Sequence, residues 1–240
     1  IHATSKRHIL GLNCCNRPGE KVGCSFSLDL HPPFGMKLLA PLINSLDLAE
    51  NCIFCHKKVY NLNSNPSPKL TGIIVENNTA EVGGGVYLNQ SDVELDGVII
   101  RNNGANFGGG LYTTGSSISL VSVSIDSNIA YWGAGLYSEN SSSNIENTNI
   151  SFNHAFIEGG AIYQNGNNLT ISETAITSNT GLDFGGALVC YMGIMDLDRC
   201  TVAGNIANYG SAFNLREAVV TVSNSIIWEN GENTVYSSSG

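Results

Sequence analysis

A chain of 240 residues with net charge −9 carries only 13% charged residues, about half the ~25% of an ordinary soluble domain. The acidic balance argues against nucleic acid as a partner, and no apolar run of about 18 residues is present to span a membrane. With 42% hydrophobic residues and 27 glycines, the chain reads as soluble and folded rather than disordered.

Composition changes sharply along it. Residues 1–70 hold eight basic and four acidic residues, all six prolines, every lysine and five of the seven cysteines. Residues 71–240 hold three basic and sixteen acidic residues and 23 of the glycines. This divides the chain into an irregular, Cys-rich N-terminal cap, 1–65, and a repeat domain, 66–240. No charged and then apolar leader precedes Ile1, so any targeting peptide is expected to have been removed or to lie outside this sequence.

In chain order, Cys14, Cys15 and Cys24 can include one disulfide, which fits an oxidising compartment. Residues 41–49, with Pro41 in the first turn, predict a short helix. Next stands Cys52-Ile53-Phe54-Cys55-His56, the spacing of c-type haem attachment, in which two thiols take the vinyl groups and the His is an axial ligand. The second axial ligand would be His31, or else His8 or His2. The stretch Pro68-Lys69-Leu70-Thr71-Gly72 is similar to the segment that follows the haem motif in class I cytochromes c. Zinc on Cys52, Cys55, His56 and either His31 or Cys24 is weaker, because a single CxxC lacks a second pair. A structural reading competes with both. Aligning Leu46-Asp47-Leu48 and Cys52-Ile53-Phe54 with Met195-Asp196-Leu197 and Cys200-Thr201-Val202 makes Cys52 an inward residue of a degenerate first coil, and leaves only Cys55 and His56 unexplained. The cofactor is therefore haem c or none.

From residue 70 onward the chain repeats. Gly83-Gly84-Gly85-Val86-Tyr87, Gly108-Gly109-Gly110-Leu111-Tyr112, Gly133-Ala134-Gly135-Leu136-Tyr137 and Gly159-Gly160-Ala161-Ile162-Tyr163 continue at Gly185 and Gly210, with spacings of 25, 25, 26, 26 and 25. Asn78, Asn103, Asn128, Asn153, Asn179, Asn205 and Asn230 keep the same phase. Apolar positions follow period 2, so each unit is two or three short strands separated by Gly, Asn and Ser turns. Stacking the units pairs every strand with its copy about 4.8 Å up the axis. Two inward columns follow, Leu70 to Val222 and Val75 to Ile227, and the asparagines form a hydrogen-bonded structural ladder.

These repeats resemble right-handed parallel β-helix proteins of pectate-lyase-like fold, and especially polymorphic outer-membrane protein repeats, which Gly159-Gly160-Ala161-Ile162 and Phe152-Asn153 echo. Asn224-Ser225-Ile226-Ile227-Trp228-Glu229-Asn230 is similar to the last coils of secreted bacterial members. The fold expected is all-β, a right-handed parallel solenoid of about seven to eight coils, with the cap helix covering its open edge. The resemblance implies an extracellular or cell-surface location. It says little of activity, since the fold hosts lyases, hydrolases, adhesins and spacers alike.

Two kinds of site are legible. Lyases and hydrolases of this fold need carboxylates on successive coils. The outward columns offer no such cluster: Glu76, Arg101, Asp126 alternate in sign, and Lys69, Glu94, Ser119, Asn144, Thr170, Asp196 keep their acids apart. The remaining catalytic candidates are His154, Glu158 and Asp183, with Glu158 and Asp183 expected to approach one another from adjoining coils. For binding, Tyr87, Tyr112, Tyr137 and Tyr163 follow inward residues and should form one outward file, a flat strip able to stack on sugar rings or on a partner, although solenoids also use such aromatic ladders merely to brace adjacent coils. A second aromatic column, Phe107, Trp132, Phe184, Tyr209, has no assignable face. Five Asn-x-Ser/Thr sequons, at 77, 89, 140, 149 and 168, are ordinary in so Asn- and Ser-rich a chain. The function expected is a non-catalytic scaffold binding a glycan, a cell-surface component or copies of itself. The alternatives are an extracellular haem protein moving electrons, and a polysaccharide lyase or glycoside hydrolase.

Overall fold

The computed structural model describes residues 69–238 and three two-residue strands before them, Asn13–Cys14, Cys24–Ser25 and Ile53–Phe54. Residues 41–49, Cys52, Cys55, His56 and His31 lie outside the described residues. Strands, turns and bends make up what is described, with no helix among them.

Each coil runs through three strands. Sheet one has seven, from Val86–Asn89 to Val235–Ser238; sheet two has seven, from Lys69–Thr71 to Val219–Ser223. Sheet three carries Ile74–Glu76 through Ile226–Trp228 and accepts the three early strands at its start. A short fourth sheet, Ile129–Trp132, His154–Glu158 and Thr180–Gly181, closes the circuit, and single bridges continue it into the neighbouring coils. Pairing between coils is parallel throughout, so the chain forms a solenoid of about seven turns. Phe54 pairs with Val75 in that same parallel sense, the register in which Ile53 and Phe54 read as a first copy of Thr201 and Val202.

Period-2 patterning determines which residues face inward. Leu95, Leu120, Ile145, Ile171 and Leu197 fill one column, and Ile100, Ile125, Ile150, Ile176 and Val202 another, each at most 1% exposed. Burying each such side chain contributes about 1.5–3 kcal/mol. Val222 and Ile227 keep the register but are 40% and 36% exposed, because within the described residues no later coil covers them.

Polar columns close the ladder where apolar ones cannot. Asn128 Oδ1 accepts the backbone N–H of Asn103 at 3.0 Å and its Nδ2 at 3.1 Å. Asn128 Nδ2 donates to Asn153 Oδ1 and to the Ile100 carbonyl, both at 3.0 Å. The pattern recurs at Asn153, Asn179 and Asn205, so each amide is satisfied while fully buried. Ser116 and Ser141, and Thr148 and Thr174, play the same part at other turns, their hydroxyls taking an N–H from the coil before.

The chain turns between sheets through single left-handed residues. At the turn from sheet three to the fourth sheet these are Asn77, Asn102, Ser127, Phe152, Ser178, Gly204 and Glu229, with φ between +49° and +66°. At the turn into sheet one the residue is glycine in six coils, from Gly83 to Gly210. Gly108, at φ +64°, shows why: a Cβ there would sit 2.5 Å from the Leu111 carbonyl oxygen.

Candidate binding surface

Tyr87, Tyr112, Tyr137 and Tyr163 do form one file on the outer side of sheet one, in register coil by coil. Their rings stack in parallel, with centroids 5.4, 5.3 and 4.9 Å apart and interplanar angles of 2–7°. The expected flat strip is therefore not what sheet one presents. Each ring turns its faces to the next tyrosine along the axis, which leaves edges and hydroxyls toward solution. The second aromatic column roofs the file as well: Phe107 stacks on Trp132 at 4.8 Å and meets Tyr137 edge-on at 5.4 Å, so Tyr137 is only 9% exposed. The Tyr112 hydroxyl donates to Glu139 Oε2 at 2.7 Å. Burial first, and then this bond, raises the Tyr112 phenol above its ordinary value, and burial does the same for Tyr137 and Tyr163. The file braces the coils.

Glu158 occupies the second column itself, between Trp132 and Phe184. Its buried carboxylate accepts from Arg216 at 2.9 Å, and that guanidinium lies 4.7 Å from the Phe184 ring centroid. The register places Phe184 opposite Glu158, whereas Asp183 is one residue aside and exposed, so the expected approach of the two acids is not what forms. His154 stands at the other end of the strand His154–Glu158, about 13 Å away by strand rise. The three residues do not converge, and Glu158 is held as half of an ion pair.

The fourth sheet provides a different surface. Ile129–Trp132 spans four residues, but its partner His154–Glu158 spans five, and the register shifts between Ala130 and Trp132. The next coil also takes five, with Thr180 opposite His154 and Phe184 opposite Glu158, before Ile206 and Tyr209 return to four. One extra residue thus bulges from this corner in each of two coils. These are the two 26-residue coils. Bulges of this kind redirect side chains, and here Phe156 and Leu182 are turned outward, each 45% exposed.

Side chains alternate along the corner, so its outward rows can be read directly. One coil shows Ser127, Ile129 and Tyr131; the next shows Phe152, His154 and Phe156. Tyr131 lies 5.5 Å from Phe156 at 48°, and 5.9 Å from Trp132 at 44°. His154 meets Phe156 edge-on at 5.0 Å. Unlike the tyrosine file, these rings are tilted, and Tyr131 keeps 46% of its surface exposed. Phe152 is 65% exposed at φ +56°, a left-handed conformation costly for a bulky side chain, where the other described coils use Asn, Ser, Gly or, in the last, Glu. Exposed aromatic faces beside an imidazole, which both donates and accepts when neutral, suit a ligand with apolar CH faces and hydroxyls. The sequence carried the signal for this corner in its 26-residue spacings and in the column Glu81, Asn106, Tyr131, Phe156, Leu182, Asn208, which is apolar only in its middle.

Among the described residues, no group of three His, Cys, Asp or Glu side chains converges to hold a metal. Cys190 and Cys200 are free, buried thiols; burial pushes Cys190 up to about 11. No helix among these residues is long and apolar enough to cross a membrane, which says nothing of strands.

Comparison with known proteins gives a consistent family. No curated protein and no solved structure matches the chain. A family model described as a right handed beta helix region matches residues 84–240, about two thirds of the sequence. With its parallel coils, inward apolar columns and asparagine ladder, the chain belongs to the right-handed β-helix family.

Proposed function

We propose that this chain is a secreted or cell-surface, non-catalytic scaffold that binds a glycan at the bulged corner formed by Tyr131, Phe152, His154 and Phe156. The observation that carries this reading is the strained and exposed Phe152 in line with His154 and Phe156. The other described coils place Asn, Ser, Gly or Glu at that position, none of them apolar, so an exposed aromatic side chain there answers to something outside the fold. Members of this fold are often extracellular or surface-associated, which agrees with the location. The test is retardation in native gels containing polysaccharide. Tyr131→Ala and Phe156→Ala are expected to abolish retardation of the wild type, while Met192→Ala, at an exposed apolar residue outside the corner, leaves it unchanged. Corner variants that retain full retardation would refute the reading.

A second reading, association between copies, is favoured by the last coil, where Ile226, Trp228 and Val235 are exposed beside unpaired strand edges within the described residues. Sedimentation velocity distinguishes it: self-association that Trp228→Lys abolishes supports it, and a monomer at all concentrations refutes it.

A further inference from the structure

The charge layout narrows the kind of glycan. From Lys69 to the end, the chain has four basic residues against sixteen acidic ones, a balance of −12. All four cations are already engaged. Lys69 bridges Glu94 at 2.9 Å and Asp96 at 2.8 Å; Arg101 holds Glu76 at 2.8 Å; Arg199 holds Asp198 and, at 3.1 Å, Glu173; Arg216 holds Glu158 at 2.9 Å. None stands in the outward rows of the corner, where Ile129, Tyr131, Phe152, Phe156 and Leu182 are uncharged and His154 supplies the polar group. A uronate or sulfate chain laid there would meet no cationic partner among the described residues and would enter the negative field of the solenoid. A cationic chain would find one exposed carboxylate at the two bulges, Asp183 beside Leu182, a single contact rather than a row of partners for its ammonium groups.

We infer that the corner takes a neutral polysaccharide, held by stacking of apolar sugar faces on Tyr131, Phe152 and Phe156 and by hydroxyl contacts to His154, and that it rejects polyuronates and sulfated chains. The inference rests on the glycan-binding reading above and specifies its ligand class. The surface fits a short run of sugar units, since the rows from Ile129 to Ile206 cover four coils, about 14 Å along the axis. Contacts of this kind release few counterions, so affinity is nearly independent of salt.

The experiment uses polymer pairs that differ chiefly in charge: polygalacturonan against its carboxyl-reduced form, and carboxymethylcellulose against hydroxyethylcellulose. Retardation is measured at about 20 mM and about 300 mM salt, between which the screening length falls from about 20 Å to about 6 Å. At least one neutral polymer is expected to bind about tenfold or more tightly than its acidic counterpart at low salt, with the gap narrowing at high salt. Tyr131→Ala and Phe156→Ala should remove the binding. If the acidic member binds as tightly as the neutral one, and the corner variants lose both, the neutral-ligand inference fails and the glycan reading stands. If no member of either pair binds, or if binding survives the corner variants, both fail together.

Discussion

Replacing Asn128 by alanine tests the central column of the solenoid. Its side chain makes four hydrogen bonds of 3.0–3.1 Å, two accepted from Asn103 and two donated, to Asn153 and to the Ile100 carbonyl, all in a fully buried setting. At about 1 kcal/mol net for each bond, the loss is about 4 kcal/mol, and the Asn103 N–H left without an acceptor keeps it from being smaller. Asn230 provides the internal comparison. It accepts twice from Asn205 and donates once to the Val202 carbonyl, but it is only part-buried, so water can replace much of what is lost. Asn230→Ala is expected to cost about 1 kcal/mol. Asn128→Asp keeps the shape but turns a carboxylate oxygen toward the Ile100 carbonyl and Asn153 Oδ1, and should be at least as damaging as alanine. Equilibrium unfolding in urea, read at a common slope, gives all three values. A cost below about 1 kcal/mol for Asn128→Ala, or one equal to that of Asn230→Ala, would refute the claim that buried amide pairing carries the stacking.

Phe152→Asn relieves a left-handed phenylalanine worth about 1–2 kcal/mol while giving up a small contact area, so stability should hold or rise by about 1 kcal/mol, a melting increase of about 2–4 °C; glycan retardation should fall in the same variant. A clear loss of stability would mean that the ring belongs to the fold rather than to a surface. Because burial holds the Tyr112 and Tyr137 phenols above the ordinary value of about 10, the unfolded chain ionises first. Their contribution is complete below about pH 10 and is lost as pH rises beyond it. The phenolate absorbance of these two, read as the difference from a Tyr112→Phe, Tyr137→Phe variant, should therefore climb together with the loss of circular dichroism; ionisation of these two that precedes unfolding would contradict this. Cys190, whose thiol burial pushes up to about 11, should resist alkylation in the native protein and react at once in denaturant. Finally, the Cys52-Ile53-Phe54-Cys55-His56 spacing is tested directly by spectroscopy. Protein from its native source is expected to show no Soret band that persists after denaturation, and such a band would make Cys52, Cys55 and His56 a haem centre after all.

The coils were legible in the sequence because a parallel solenoid repeats its environment: a position that is inward in one coil is inward in the next, so Leu95, Leu120 and Ile145 announce each other. The same regularity misled the reading of Tyr87 to Tyr163. Parity along the strand correctly placed these residues outside, yet it holds no information on ring tilt or on what covers them, and those come from the turn that brings Phe107 over Tyr137. Likewise, the expected approach of Glu158 and Asp183 overlooked a one-residue offset: Glu158 stands one residue before Gly159 and Asp183 two before Gly185, so the glycine frame pairs Glu158 with Phe184, as the strands do. Phe152 was visible as part of a repeat echo, but its strain is a backbone property that residue spacing does not encode. Its aromatic neighbours Tyr131 and Phe156 become meaningful only once the fourth sheet brings adjacent coils together.

The two bulges also say how this architecture tolerates change. An additional residue enters between Ala155 and Glu158 and again between Gly181 and Phe184, yet sheets one, two and three keep unbroken pairing through the same coils. Length variation at the fourth corner is therefore uncoupled from the register of the rest, much as a loop is uncoupled from the framework that carries it. A longer insertion at Phe156 or Leu182 should be accepted without shifting the columns below, which makes this corner the natural place to graft or diversify recognition segments while the remaining three sides stay constant.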